Sequence, residues 1–576
     1  MGVRFFSILC CLLTVQIAAG QTQIHSIDEL NGSSDVINSH AGDTYRSNVE
    51  VDLRTVRSLG ENELGQQMLD YPRVKRLRDG SYIMFYQPLK HGYHVYISFS
   101  DDAVNWSKGV RVFEGYKFIN GDGEQDIWKY ATADALQLDN GDILCFCIFH
   151  SDKHYARHLD EFGICMKRSS DGGHTWSEEK ILHRTVDWEP YPIQLEDGEI
   201  LVFFTDSDWD WEPNSSGSSL LRSSDGGNTW TLQQQVARQP RSPAKASPKQ
   251  RSVGTPRIPA DSTRKVYTDQ MPVAIRLNGT DQMLSAYETH LAPDAVLTVS
   301  LAWEDQKWPV TLTGDMTGPK KRMNSCIEGG APYLMQFPSG EVMLSYGYGE
   351  FACRLGNEMG TDLPDRFEVK PFGNRAMRWG ALEKKDAHTA IAVAAHLYKG
   401  MAVEKGRIMI GQMRLNHRVD APRMNIVPDG KNLDWNDVKD ALFIGSETNA
   451  QCSFRFAHDD NYLYILAECL DELPVTGDGL TLLLGDGADK KKYCPVFLDV
   501  AGKTVKAQPA PGVKTACTMV KGQGWMAEVA VEKAALPKSA DGRIYFNAVL
   551  YKGEVSDSFT GVPTFAVDRW LPVNLL

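Results

Sequence analysis

Paired apolar runs, each pair split by a turn dipeptide, dominate the chain up to about residue 415. YPRVKRL, TADALQL, EPYPIQL, MPVAIRL and APYLMQF each run into a turn and are followed by SYIMFY, DILCFC, EILVFF, QMLSAY and EVMLSY. The turns are Asp79-Gly80, Asn140-Gly141, Asp197-Gly198, Asn278-Gly279, Ser339-Gly340 and, in sixth place, Lys405-Gly406. β-branched and aromatic residues on both sides of a glycine turn predict β-hairpins. The turns recur at intervals of about 60 residues, a period that signals units unable to bury their apolar faces alone. Each interval holds the hairpin and about two more strands, so an all-β, six-bladed β-propeller of four-stranded blades is expected. The one longer interval is explained by Arg238–Lys265, a Pro-, Ser- and base-rich stretch that reads as a loop.

After Leu415 the period stops, and Asn416–Arg423 leads into shorter alternating strands such as CSFRFAHDDNYLYILAECLD, GLTLLLGD and YCPVFLDVAG. That pattern predicts a β-sandwich. The expected organisation is a signal peptide at 1–20, the propeller at 21–415, a linker at 416–423 and the sandwich at 424–576.

The signal peptide is read from Arg4, the apolar stretch Phe5–Val15 and the small residues Ala18-Ala19-Gly20. The stretch is too short to span a bilayer, and no later segment replaces it, so export without an integral membrane span is expected, to the periplasm or beyond. A length of 576 residues calls for more than one core. A net charge of -13 argues against a nucleic-acid partner, which would need a basic face. With Cys10 and Cys11 in the leader, an odd number of the 11 cysteines remains, at spacings unlike a metal site. Buried free thiols are expected rather than a disulfide framework.

SSDGGHTW (Ser169–Trp176) and SSDGGNTW (Ser223–Trp230), with a decayed copy at Ser98–Trp106, are Asp-boxes. Asp171 and Asp225 are placed to bond amides of their own turns while the glycines permit positive φ. Their expected role is structural.

Catalytic candidates lie instead where hairpins meet the central rim. Glu189 precedes its turn glycine by as many residues as Glu288 follows its own, so both carboxylates are expected at one edge. Asp134 and Arg73 occupy matching offsets in the second and first hairpins. Two carboxylates at one edge are what glycoside cleavage requires. Trp128, Tyr130, Trp188, Tyr191 and Tyr333, with Trp209, Trp211 and Tyr348, supply aromatic faces for sugar stacking or for packing between blades. Gln270 and Tyr287 flank the same strand ends, so the expected substrate contacts are Arg73, Asp134, Trp128, Tyr130, Trp188, Tyr191, Gln270, Tyr287 and Tyr333.

The Asp-boxes, the six-fold period and YPRVKRLRDG resemble the sialidase-like propeller superfamily. Within it, WEPYPIQLEDGEILVFF, QMPVAIRLNGTDQMLSAYE and GGAPYLMQFPSGEVMLSYG look more like the exo-arabinanases of glycoside hydrolase family ninety-three. That resemblance implies a retaining mechanism, with Glu189 as acid/base and Glu288 as nucleophile, and no cofactor or catalytic metal. The exo-sialidase pattern is met only in part: the loop YQPLKHGYHVYIS holds no Asp. Of the arginines needed for a carboxylate clamp, Arg73 fits, Arg276 lies deep along its strand, and Arg322, Arg375 and Arg378 have no place. VPDGKNLDWND, FAHDDNYLYILAECLD and GDGLTLLLGD resemble family-nine carbohydrate-binding modules. That implies a sugar-binding role for Trp435, Tyr462, Tyr464 and Trp525 and a structural calcium for Asp459, Asp460, Asp471 and Asp478; core packing and solvated turn acids are the other readings. The leading expectation is an exported exo-glycosidase acting on a glycan, ahead of an exo-α-sialidase and of a non-catalytic glycan-binding protein.

Overall fold

The computed structural model describes residues 23–31, 42–88, 93–153, 158–207, 217–232, 234–237, 269–289, 297–305, 321–347, 349–398, 405–560 and 566–576. The leader at 1–20, the insertion at 238–265, Trp209, Trp211 and Tyr348 lie outside the described residues. Among the described residues, helix is limited to Ile27–Asn31, Glu61–Leu64 and single turns, and the rest of the secondary structure is β.

Six antiparallel sheets follow one another along the chain. Their first strands are Leu69–Arg76, Gln125–Gln137, Asp187–Gln194, Gln270–Arg276, Tyr333–Gln336 and Met377–Lys384. Each first strand packs against the first strand of the next sheet, and Met377–Lys384 packs back against Leu69–Arg76, so the six meet in cyclic order around one axis. Second strands are apolar on both faces because sheets lie on both sides of them. Every residue of Ile143–Ser151 and of Ile200–Asp206 is buried. The sixth sheet is completed from the other end of the chain, as Asn48–Leu59 pairs antiparallel with Lys405–Asn416. The first and last strands of the repeat thus share one hydrogen-bond ladder.

Five of the six turns join the first two strands of a sheet, and the sixth does not. In the sixth sheet the inner hairpin turns between Lys384 and Thr389, whereas Lys405-Gly406 begins the third strand. The true turn, Lys385-Asp386-Ala387-His388, closes without glycine. His388 N–H donates to Asp386 Oδ1 at 2.8 Å, and Lys385 N–H donates to Thr389 O at 2.9 Å.

The loops at Asp171 and Asp225 are built alike. Asp171 Oδ1 accepts from Thr175 N–H and Ser169 O–H, each at 2.8 Å, and the Trp176 indole donates to Gly173 O at 2.9 Å. Asp225, Thr229 and Trp230 repeat these bonds. The donors pull both carboxyls down to about 2. In the decayed copy Ala103 adopts φ 58°, where glycines stand in the full ones.

Beyond residue 416 lie a seven-stranded path of strands, joined by one further strand, and a five-stranded sheet. One apolar cluster draws on both, including Phe454, Phe456, Leu482, Val496, Trp525 and Phe546. Residues Val419–Ala421, inside the expected linker, form a strand parallel to Leu571–Leu575. The eight cysteines whose side chains are described are free.

Candidate functional site

The first strands share one backbone device where they meet the axis. Tyr71, Thr132, Glu189, Met271, Ala331 and Trp379, one per sheet, all have φ between 48° and 53°. Left-handed backbone costs a non-glycine residue roughly 1–2 kcal/mol, so six such residues at equivalent places are a built feature. In five of the sheets the ladder skips register there, as between Trp188 and Tyr191 or between Gln270 and Val273. Each is a bulge that re-aims the side chain at the strand's end. Tyr71, Met271, Ala331 and Trp379 pack in one cluster, which brings four of the six positions together at a common rim.

Glu189 is the one carboxylate among the six, and it is half-buried. Its charge reaches the Tyr71 phenol, whose pKa burial has already raised far above the usual value. Glu288 stands across its sheet from Gln270 and is buried. Its Oε2 accepts from the N–H of Ala331, the rim residue of the next sheet, at 2.9 Å. Gln87 holds the Thr132 N–H and Thr205 holds the Met271 N–H in the same way. Glu288 therefore occupies a place whose repeated task is to latch the neighbouring bulge, and it alone of the three brings a charge to it.

Two residues below each bulge, side chains point into the axis. Arg73, Asp134, Tyr191 and Tyr333 stand there and are buried rather than exposed. Asp134 Oδ1 is 2.8 Å from Lys75 Nζ, its Oδ2 accepts from Tyr333 O–H at 3.1 Å, and Arg73 Nε lies 3.8 Å away. Lys75 also donates to Tyr333 O–H at 2.8 Å. Arg73 donates to the carbonyls of Pro72 and Trp379 and lies over the Tyr71 ring at 3.9 Å. The rings of Tyr191 and Tyr333 meet edge-on at 5.4 Å. Glu383 joins from the sixth sheet, its carboxyl pushed up to about 7 by burial against the pull of Lys75. Arg73, Asp134 and Tyr333 are thus joined in one network with Lys75, Tyr191 packing against it, so these four expected substrate contacts lie buried below the left-handed positions.

Other expected contacts are elsewhere. Trp128 stacks on Phe149 at 4.9 Å and Tyr116 at 6.0 Å, in the core of the first two sheets. Tyr130 shares that core and packs on Phe113 at 5.2 Å. Tyr287 is fully buried with Ala237 and Ala302, facing away from Glu288 because neighbours in a strand point oppositely. Trp188 packs on Phe162 between the second and third sheets, and Gln270 is buried opposite Glu288. A rim pair that the sequence reading missed is Asp70 with Arg378, joined at 2.6 Å. Burial raises the Asp70 carboxyl even against that arginine.

In the C-terminal region Trp435 and Trp525 are core residues, and the Trp435 indole donates to Glu528 at 3.0 Å. Tyr464 is buried too, and Tyr462 lies under Lys514. Asp471 and Asp478 share the Lys552 ammonium at 2.8 and 2.7 Å, which supplies the positive charge a calcium ion would. Asp459 caps its own turn and Asp460 pairs with Arg423, apart from the Asp471–Lys552–Asp478 contact.

A cavity of about 1180 Å³ opens between the sixth sheet and the C-terminal region, lined in part by Glu50, Phe372, Arg375, Ser446, Asp557 and Phe559. Burial raises two of its carboxyls, Asp557 to about 6 and Glu50 well above its usual range, with Asp557 adding to the latter. An acid that holds its proton more tightly when folded contributes stability at low pH and loses it as pH rises through its folded pKa. Asp557→Asn is therefore expected to raise unfolding stability at pH 8 by about 1–3 kcal/mol, seen as a higher Tm, and to match the parent near pH 4. Thermal melts across that range check it; an equal offset at both ends would contradict it.

No family model and no curated protein matches the chain. Solved structures that resemble it include the GH93 α-L-arabinofuranosidase of Fusarium graminearum with arabinobiose, at 14% identity and TM-score 0.43, over 63% of this chain and 98% of that one. A leech intramolecular trans-sialidase is similar at 10% identity and TM-score 0.37, over 58% and 65%. A family 9 carbohydrate-binding module from Caldicellulosiruptor kristjanssonii in complex with cellotriose is similar at 17% identity and TM-score 0.22, over 27% and 93%. Among the described residues, no helix is long and apolar enough to cross a membrane.

Proposed function

We propose that the chain is an exported, exo-acting, retaining glycoside hydrolase that releases a terminal sugar in the manner of exo-arabinanases. In this reading the six sheets are the blades of a propeller at 21–415 whose outer loops carry Asp-boxes. Residues 416–423 connect it to a carbohydrate-binding-module-like sandwich at 424–576. The observation that carries the proposal is Glu189: of six equivalent left-handed rim positions, one alone holds a carboxylate, at the edge where Glu288 is fixed by the Ala331 N–H. Glu189 is the acid/base that protonates the leaving oxygen and then activates water. Glu288, whose carboxylate the Ala331 N–H holds in place, is the nucleophile that forms the glycosyl-enzyme bond. Glycosidases that retain configuration hold the two carboxyls about 5–5.5 Å apart, and those that invert it about 6.5–9.5 Å.

An exo-sialidase would need arginines gathered for a carboxylate, and three of the candidates already face acids of this chain. Arg73 is buried beside Asp134, Arg276 pairs with Glu196, and Arg378 pairs with Asp70. The test is a screen of purified protein against aryl glycosides of arabinose, sialic acid, rhamnose and galactose, with short arabinans. Release of arabinose with retained anomeric configuration is expected. Release of sialic acid would establish the sialidase instead. No release from any of them, with binding on a glycan array, would leave a glycan-binding protein.

A further inference from the structure

The turn of the sixth inner hairpin, the end of the next strand and the approach to the C-terminal region converge on one buried point. His388 belongs to the turn, His417 follows the strand Lys405–Asn416, and Asp440 precedes the strand Leu442–Ile444. Both imidazoles are about 1% exposed, and their rings lie at 5.1 Å with 22° between planes. Their Nε2 atoms aim at a single oxygen, Asp440 Oδ1, from 3.5 and 3.9 Å.

Those distances are too long for good hydrogen bonds, which lie near 2.7–3.2 Å. Among the described residues, neither ring nitrogen of His388 has a hydrogen-bond partner. The three ligand atoms nonetheless lie within 4.8 Å of one another. Ligands on a tetrahedral zinc ion, bonded at about 2.0–2.1 Å, stand about 3.3 Å apart, so a small contraction would complete the set.

The scaffold holds the three residues in place. Asn416, beside His417, clamps Phe443 by donating to its carbonyl at 2.9 Å and accepting from its N–H at 2.8 Å. Asn31 clamps Ala441, the neighbour of Asp440, in the same two-way manner at 3.0 Å. Leu415 N–H donates to the His388 carbonyl at 2.7 Å.

We propose that His388 Nε2, His417 Nε2 and Asp440 Oδ1 form a divalent-cation site of the zinc class that ties the sixth sheet to the C-terminal region. Two imidazoles with one carboxylate suit a borderline transition ion, whereas calcium and magnesium prefer all-oxygen sets. Three protein ligands leave a fourth position for water, on the side where Asp440 is partly exposed. This site departs from the expectation of no metal, because its ligands are brought together only by folding.

The test uses the full chain, stripped with a chelator and titrated with Zn²⁺ by calorimetry, metal content and thermal melts. One equivalent per chain and a rise in Tm that chelator reverses are expected. Asp440→Asn and His388→Ala should each lose the equivalent and the zinc-dependent rise. Co²⁺ in the parent should give the visible absorption of a tetrahedral N/O site, a readout that stands even if His388→Ala does not fold. Substoichiometric Zn²⁺ on the parent, an octahedral aquo-like Co²⁺ spectrum, or variants that bind as the parent does would each overturn the site.

Discussion

Glu189→Gln is expected to lower turnover by about two to four orders of magnitude while leaving Tm within a degree or two of the parent. Glutamine has the same shape, so the left-handed bulge at Glu189 is kept. What is lost is the exchangeable proton. Glu288→Gln should lose at least as much activity and also fold, since its amide oxygen can still accept the Ala331 N–H. The two are told apart by leaving group: a strongly activated aryl glycoside needs no acid and should restore the first step in Glu189→Gln but not in Glu288→Gln. Near-normal rates in either variant would remove that residue from the mechanism. Equal rescue of both would mean that the roles are wrongly divided.

The hairpins and the Asp171 and Asp225 loops were legible because each is written in local turn chemistry. Asn-Gly and Asp-Gly fix a reversal, and Ser-x-Asp-Gly-Gly-x-Thr-Trp contains every donor and acceptor of its own loop. The sixth hairpin was misplaced because it turns on Asp386 and a backbone bond instead of glycine. Depth along the axis was misread for a subtler reason. Side-chain parity along a strand holds only while the ladder is regular, and a bulge separates Glu189 from Tyr191 just as one separates Asp70 from Arg73. Counting from the turn therefore put Arg73 and Asp134 at the rim beside Glu189, whereas they lie below the bulge. Trp128 and Tyr130 were misread because sugar stacking and core stacking use the same residues. The ligands His388, His417 and Asp440 carry no spacing motif, since three separate backbone segments deliver them.

Asp134→Ala should be the most destabilising single change in the axial network, costing about 3–5 kcal/mol. Asp134 is the carboxylate that meets Lys75 and faces Arg73, and its loss strands both cations in a site from which water is nearly excluded. Both cations are held in their charged forms chiefly by their neighbours against burial, with Asp134 prominent for each. Glu383 offers partial relief. Its carboxyl, high because of burial and in part because of the charge on Asp134, ionises more readily once that charge is gone. Removing one cation as well should then restore balance, so Asp134→Ala with Lys75→Met is expected to recover at least half of the loss. Denaturant unfolding of the parent, both single variants and the double variant measures this as a coupling energy. A single-variant cost below about 1 kcal/mol, or a double variant no better than Asp134→Ala alone, would show that the hub is held by packing of Tyr191 and Tyr333 and not by its charges.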